Sequence, residues 1–112
     1  YAIQQYAEGH NLGVVRELCG HGIGKEMHEE PEVPNYGTPN TGARLRPGMV
    51  ICIEPMITFG RRDIWLLEDE WTVVTQDSKP AAHYEHTVCV RKGKADILSS
   101  FDEIEKVLRY KS

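Results

Sequence analysis

A strand-rich middle with a helical run at each end is what this sequence predicts, on two observations. Period-two alternation marks Met49–Thr58 and His83–Arg91 as strands, and shorter β-prone runs separated by turns lie around them. A helical period marks each end, at Ile3, Tyr6 and Ala7 and again at Ile104, Val107 and Leu108. The α+β class itself is what the motif resemblance given below implies. With 112 residues the chain is at most one domain, 1–112, able to bury about two thirds of its unfolded surface.

The opening run YAIQQYAEGH reads as the end of an amphipathic helix, with Ile3, Tyr6, Ala7 and His10 on one face and Gly9 to Gly13 ending it. The helix lacks a visible start and N-cap, and Tyr1 stands where methionine would, so a fragment or processed piece is expected. Val14 to Leu18 is short and β-prone. It leads into Gly20–Pro31, GHGIGKEMHEEP, in which Gly20, Gly22 and Gly24 surround His21 and precede His28. Glycines at this density make a helix through His21 costly, so both histidines are expected on irregular backbone. Neither histidine taken alone indicates a ligand. A zincin helix is excluded, because Glu32 stands where its second histidine would fall and Pro31 would break the helix.

Pro31 to Arg46 carries three prolines and two glycines and predicts a long loop. Leu45-Arg46-Pro47-Gly48 is a turn. In the strand Met49–Thr58, Ile51 and Ile53 share one face and Val50, Cys52 and Glu54 the other. Ile64–Leu67 and Trp71–Thr75 predict a hairpin after the RRD turn, closed by Lys79-Pro80. Along His83–Arg91, His83, Glu85, Thr87 and Cys89 share a face. A short strand near Ile97 precedes the C-terminal helical run.

Glu54 and Glu85 are each expected in the middle of an apolar strand, where a buried carboxylate must neutralise, pair or bind a cation. An ion pair with Arg61, Arg62 or Lys79 is one solution. A metal held by His21, Glu54 and Glu85 is the other, since imidazole and carboxylate suit Mn, Co, Fe or Zn. Sequence spacing does not bring these three together; only the fold could.

Thirteen Lys and Arg against 17 Asp and Glu give a net charge of −4 without a long basic run, which argues against a nucleic-acid partner. Cys19, Cys52 and Cys89 form no CxxC pair and read as reduced thiols of a cytoplasmic protein. No apolar run approaches bilayer length and no signal-peptide order opens the chain, so no membrane association is expected.

In this order GHGIG, MHEEP, PGMVICIEPM, EWTVVTQD and HYEHTV resemble the C-terminal half of a type I methionine aminopeptidase of bacterial kind, over residues 1 to 100. The resemblance implies the pita-bread fold, in which two pseudo-symmetric halves curve an antiparallel sheet around two divalent metal ions (Co, Mn, Fe or Zn). It implies His21, Glu54 and Glu85 as metal ligands, with Glu85 bridging the two ions. It implies two catalytic residues: His28, which hydrogen-bonds the substrate carbonyl and the tetrahedral intermediate, and Glu54, which can take the attacking water's proton. Met27 and Trp71 would line a methionine pocket, where a flexible thioether packs well. His83 departs from the glutamine common in relatives, and no role is carried over to it.

The implied activity is removal of the initiator methionine from nascent chains, with N-terminal methionyl peptides as substrates. The family's site also uses two aspartates that precede the histidine, and no aspartate precedes Asp63. The chain alone is therefore expected to hold at most one metal, weakly, and to be inactive. A missing N-terminal half, or a second copy, would be the partner covering the exposed half-sheet. The alternatives are a non-catalytic pita-bread binding module and a proline-directed aminopeptidase of the same fold. Retention of His21, His28, Glu54 and Glu85 speaks against the first, and Trp71 in EWTV against the second.

Overall fold

The computed structural model describes residues 1–110; the last two of the expected 1–112 span lie outside the described residues. In chain order the elements are α1 (Ala2–Gly9), β1 (Gly13–Val14), β2 (Gly20–Gly22), β3 (Glu29–Val33), β4 (Val50–Ile53), β5 (Met56–Thr58), β6 (Ile64–Leu66), β7 (Val73–Thr75), β8 (Ala81–His83), β9 (His86–Arg91), β10 (Lys94–Ile97) and α2 (Asp102–Arg109). The α+β layout holds. A five-stranded antiparallel sheet runs β10-β9-β4-β2-β3, a three-stranded one β1-β5-β8, and β6-β7 forms the expected hairpin.

Both long strands predicted from alternation are broken in two. Met49–Thr58 divides at Glu54-Pro55, and His83–Arg91 at Tyr84-Glu85. Proline has no N–H to give a ladder, and the peptide oxygen of Pro55 instead accepts from Tyr84 N at 3.3 Å. The register survives the break. Ile53 pairs with His86 on one side and Met56 with His83 on the other, so the two intervening residues of each arm match, and Glu54 falls opposite Glu85. The glutamates thus lie in the gap where one ladder passes between two sheets, not in mid-strand as expected.

His21 lies within the short strand β2, and the irregularity expected around it takes the form of a register shift in the β2–β3 pairing between His21 and Gly22. Its glycine neighbours serve another purpose. A Cβ on Gly20 would collide with the carbonyl oxygen of Cys52, and one on Gly22 with that of Glu30. Glycine there lets β3 and β4 close on β2 from either side. The loop expected over Pro31 to Arg46 begins later, because β3 pairs with β2 as far as Val33.

The core is small: Ala7, Val14, Val15, Ile51, Cys52, Val88 and Cys89. Ile51 and Cys52 are both only 1% exposed, so β4 is covered on both faces where alternation implied one polar side. Its place between β9 and β2 accounts for this. α1 packs on β1 with Ala7 as its buried residue, while Tyr6 of the predicted apolar face stays exposed. α2 buries none of its residues and leaves Ile104, Val107 and Leu108 in solvent. Its charges are distributed to suit the helix dipole, with Asp102, Glu103 and Glu105 in the first turn and Lys106 and Arg109 in the last. Among the described residues no helix is long and apolar enough to cross a membrane.

Candidate metal centre

Residues opposite one another in an antiparallel ladder share a face, and so do residues two apart along a strand. His21 of β2 is opposite Cys52 of β4, which is opposite Thr87 of β9. Two residues on come Glu54 and Glu85, and two beyond those Met56 and His83. One face of the sheet therefore gathers His21, Glu54 and Glu85.

The side chains meet accordingly. His21 Nε2 lies 3.2 Å from Glu54 Oε1, and both side chains are largely covered, at 15% and 14% exposure. Among the described residues, ligand atoms of His21, Cys52 and Glu85 lie within 4.8 Å of one another, with Glu85 the exposed member. Burying the Glu54 carboxylate requires partners, and these are two imidazoles rather than Arg61, Arg62 or Lys79. Its other oxygen, Oε2, faces His83 Nε2 at 3.3 Å. Arg61 instead pairs with Asp63 at 3.1 Å.

The tautomer of His21 can be read from its surroundings. Nδ1 is 2.8 Å from the carbonyl oxygen of Gly22, which can only accept, so Nδ1 is the donor and Nε2 is left toward Glu54. Orientation of an imidazole by a backbone carbonyl is the usual support of a metal-binding histidine. Two carboxylates and an imidazole so arranged form a hard N/O donor set that fits a divalent cation of the Mn, Fe, Co or Zn group. Cys52 is a poorer candidate. Burial pushes its thiol up; the Thr87 hydroxyl opposes this, but Glu85 and Glu54 add to it, so the sulfur stays a neutral thiol.

His28 sits on the bend between β2 and β3, exposed, with its ring centroid 4.1 Å from that of His21 and tilted by 46°. Here the backbone is irregular, as expected. Glu29 folds its carboxylate back to accept from Glu26 N at 3.0 Å, over Gly24, where a Cβ would press on it. A cavity of about 730 Å³ opens at this place, lined among others by Cys19, His21, His28, Glu54, Trp71 and His83. Trp71 reaches it from the β6–β7 turn and is 86% exposed. Asp69 braces that turn by accepting from Trp71 N at 3.1 Å and Thr72 N at 2.8 Å, and the Thr72 hydroxyl holds its carboxyl below the usual range. Met27 is 71% exposed and does not line the cavity.

Two residues beside Glu54 were not identified from sequence as part of the site. His83 had a signal, since alternation already put it on the face of Glu85. Asn35 had none. It lies in the loop after β3, yet is buried, with Nδ2 3.5 Å from the Glu54 carbonyl oxygen.

An oriented imidazole and a carboxylate at the wall of a cavity, with a second carboxylate within reach of the imidazole, suit a metal-dependent hydrolase. The chain belongs to metallopeptidase family M24, whose profile matches residues 1–92. It is 52% identical over 99 residues to methionine aminopeptidase 1 of Bacillus subtilis, covering 88% of this chain and 40% of that protein. It is likewise 52% identical to the methionine aminopeptidase of Clostridium acetobutylicum, over the same shares. The crystal structure of methionine aminopeptidase from Rickettsia prowazekii superimposes with a TM-score of 0.84 at 48% identity, covering 87% of this chain and 40% of that one. That from Thermotoga maritima gives 0.83 at 47%, covering 86% and 39%. The chain thus has the α+β pita-bread fold of these neighbours, and it spans about two fifths of the length of the curated relatives it matches. Membership of a metallopeptidase family implies a divalent metal.

Proposed function

We propose that this chain is the C-terminal part of a cytoplasmic methionine aminopeptidase, removing the initiator methionine from nascent proteins. What supports the reading is the contact of His21 with Glu54 at the wall of a cavity, with Glu85 within reach of His21 on the same sheet face. These three residues would hold the metal. The chemistry a divalent cation supplies in such a set is polarisation of the scissile carbonyl and acidification of the attacking water.

The chain's own residues do the rest. Glu54, with a carboxylate inside the cavity, accepts the attacking water's proton. His28, exposed at the cavity wall next to His21, donates to the substrate carbonyl oxygen as negative charge develops there. Trp71 offers an aromatic wall for the methionine thioether, and Met27, next to His28 in sequence, stands at the same end of the site.

No aspartate precedes Asp63 to complete a second metal position, so the chain alone binds metal weakly and turns over slowly. An N-terminal half would supply those ligands, and either it or a second copy would cover exposed Trp65, Leu66, Val73 and Val74.

The test is methionine release from a Met-Ala-Ser peptide with Mn²⁺ or Co²⁺. It is run on the chain alone and on the chain mixed with the part of the Bacillus subtilis relative that precedes the matched region. Release on mixing that disappears with His21→Ala supports the reading. Release by the chain alone at the rate of an intact relative overturns its incompleteness, and no release in any arm overturns the activity.

A further inference from the structure

We propose that His83 is a positioning residue for Glu54, donating Nε2–H to Oε2 and so fixing Oε1 toward His21. The inference rests on the metal-centre reading for its consequence, but on the contact itself for its geometry.

Glu54 follows the end of β4, at the gap between the two sheets, where no ladder hydrogen bond holds it. A carboxylate there would turn freely about its terminal torsions. His83 is placed to limit this, its Nε2 lying 3.3 Å from Oε2, while His21 Nε2 lies 3.2 Å from Oε1 and Asn35 Nδ2, 3.5 Å from the backbone carbonyl oxygen, holds the main chain. The two imidazoles come from different sheets: His21 from β2 of the five-stranded sheet and His83 from β8 of the three-stranded one. His83 therefore ties the carboxylate across the gap, and any change in the angle between the sheets would turn Oε1 relative to His21.

His83 acts through Glu54 rather than beside it. The contact of His83 with the site is to the Glu54 carboxylate, on the oxygen that His21 does not face. An oxygen that accepts a fixed hydrogen bond is left with one direction for the second oxygen, which is how outer partners orient a ligating carboxylate. Only the N–H donor matters for this, so glutamine, which carries an amide N–H at a similar reach, can replace histidine, whereas alanine cannot.

Two measurements on the full chain test it. Calorimetric titration with MnCl₂ alone compares wild type, His83→Gln and His83→Ala, with circular dichroism to verify that each is folded. His83→Ala weakens Mn²⁺ binding about tenfold to hundredfold, and His83→Gln restores most of it. Binding by His83→Ala equal to wild type, or by His83→Gln as weak as His83→Ala, overturns the proposal. Long-range ¹H–¹⁵N correlation spectra of the metal-free chain give the second readout. His83 shows the Nε2–H form, and its Nε2 resonance moves in Glu54→Gln. An Nδ1–H form, or no response to Glu54→Gln, overturns the contact. If wild type takes up no Mn²⁺, the metal-centre reading fails and the spectra alone decide the role of His83.

Discussion

Glu54 and Glu85 face each other across a gap in an otherwise continuous antiparallel ladder, one position beyond the Ile53–His86 pair. Like charges directly opposite destabilise a sheet by up to about 1 kcal/mol. Without metal the pair is a local cost, which a cation held as proposed above would offset. Glu85→Gln is therefore expected to raise the stability of the metal-free chain by a few tenths of a kcal/mol, and at the same time to weaken Mn²⁺ binding. Urea unfolding with and without Mn²⁺ checks both signs. A variant less stable without metal than wild type would contradict the account.

Gly20 and Gly22 let three backbones pack together around His21. Gly20→Ala and Gly22→Ala must push β4 or β3 away, and each is expected to cost about 1–3 kcal/mol. Gly9, at the end of α1, has open space around its Cβ direction. Gly9→Ala is expected to stabilise by about 0.5–1 kcal/mol. Denaturant midpoints for the three variants separate close packing from a general effect of replacing glycine.

Cys52 lies within the same small cluster as His21 and Glu85, and its chemistry decides whether it is a ligand. A thiol held neutral by burial and two glutamates binds a hard cation poorly. Cys52→Ala should keep Mn²⁺ binding, while His21→Ala should lose it. The buried thiol should also resist iodoacetamide at neutral pH until the chain is unfolded. Loss of Mn²⁺ binding in Cys52→Ala would restore sulfur to the ligand set.

Asp77 ties the Gly60–Arg62 turn to the one before Pro80, accepting from Arg61 N at 2.8 Å and Lys79 N at 3.1 Å. The Arg61 amide, then that of Lys79, holds its carboxyl below the ordinary aspartate value. A carboxyl lower in the folded state than in the unfolded one adds stability that is complete above the unfolded value of about 3.9. That stability is lost as pH falls below it, through the folded value. Asp77→Asn should therefore flatten the stability curve below pH of about 4 and leave its shape above pH 5 unchanged. Thermal melts across that range test the sign.

Alternation in Val50–Ile53 and His86–Arg91 placed the central strands, and the apolar period of the last residues placed α2. The spacing of His21, Glu54 and Glu85 could not show that they meet. That depends on antiparallel pairing of β2 with β4 and of β4 with β9, which is a non-local choice. The breaks at Pro55 and Glu85 were hidden because alternation continues across them: the register does not slip, so the periodicity never reports the gap. The glycines around His21 were read as loop formers because local propensity cannot distinguish a residue that must bend from one that must be thin. His83 could be placed on the correct face, but its partner could not be named, and buried Asn35 left no local sign of its place beside Glu54.

The gap at Pro55 also limits how this region can vary in length. Two residues separate Ile53 from Met56, and two separate His83 from His86, and the two arms stay matched only while these numbers agree. An insertion of one residue in one arm would turn everything beyond it through half a pleat and send one glutamate to the opposite side of the sheet. Pro55 or Tyr84 can be exchanged for other residues without that consequence. Variation is thus free in side chain at Pro55 and Tyr84, and the region is closed to single-residue insertions and deletions unless both arms change together.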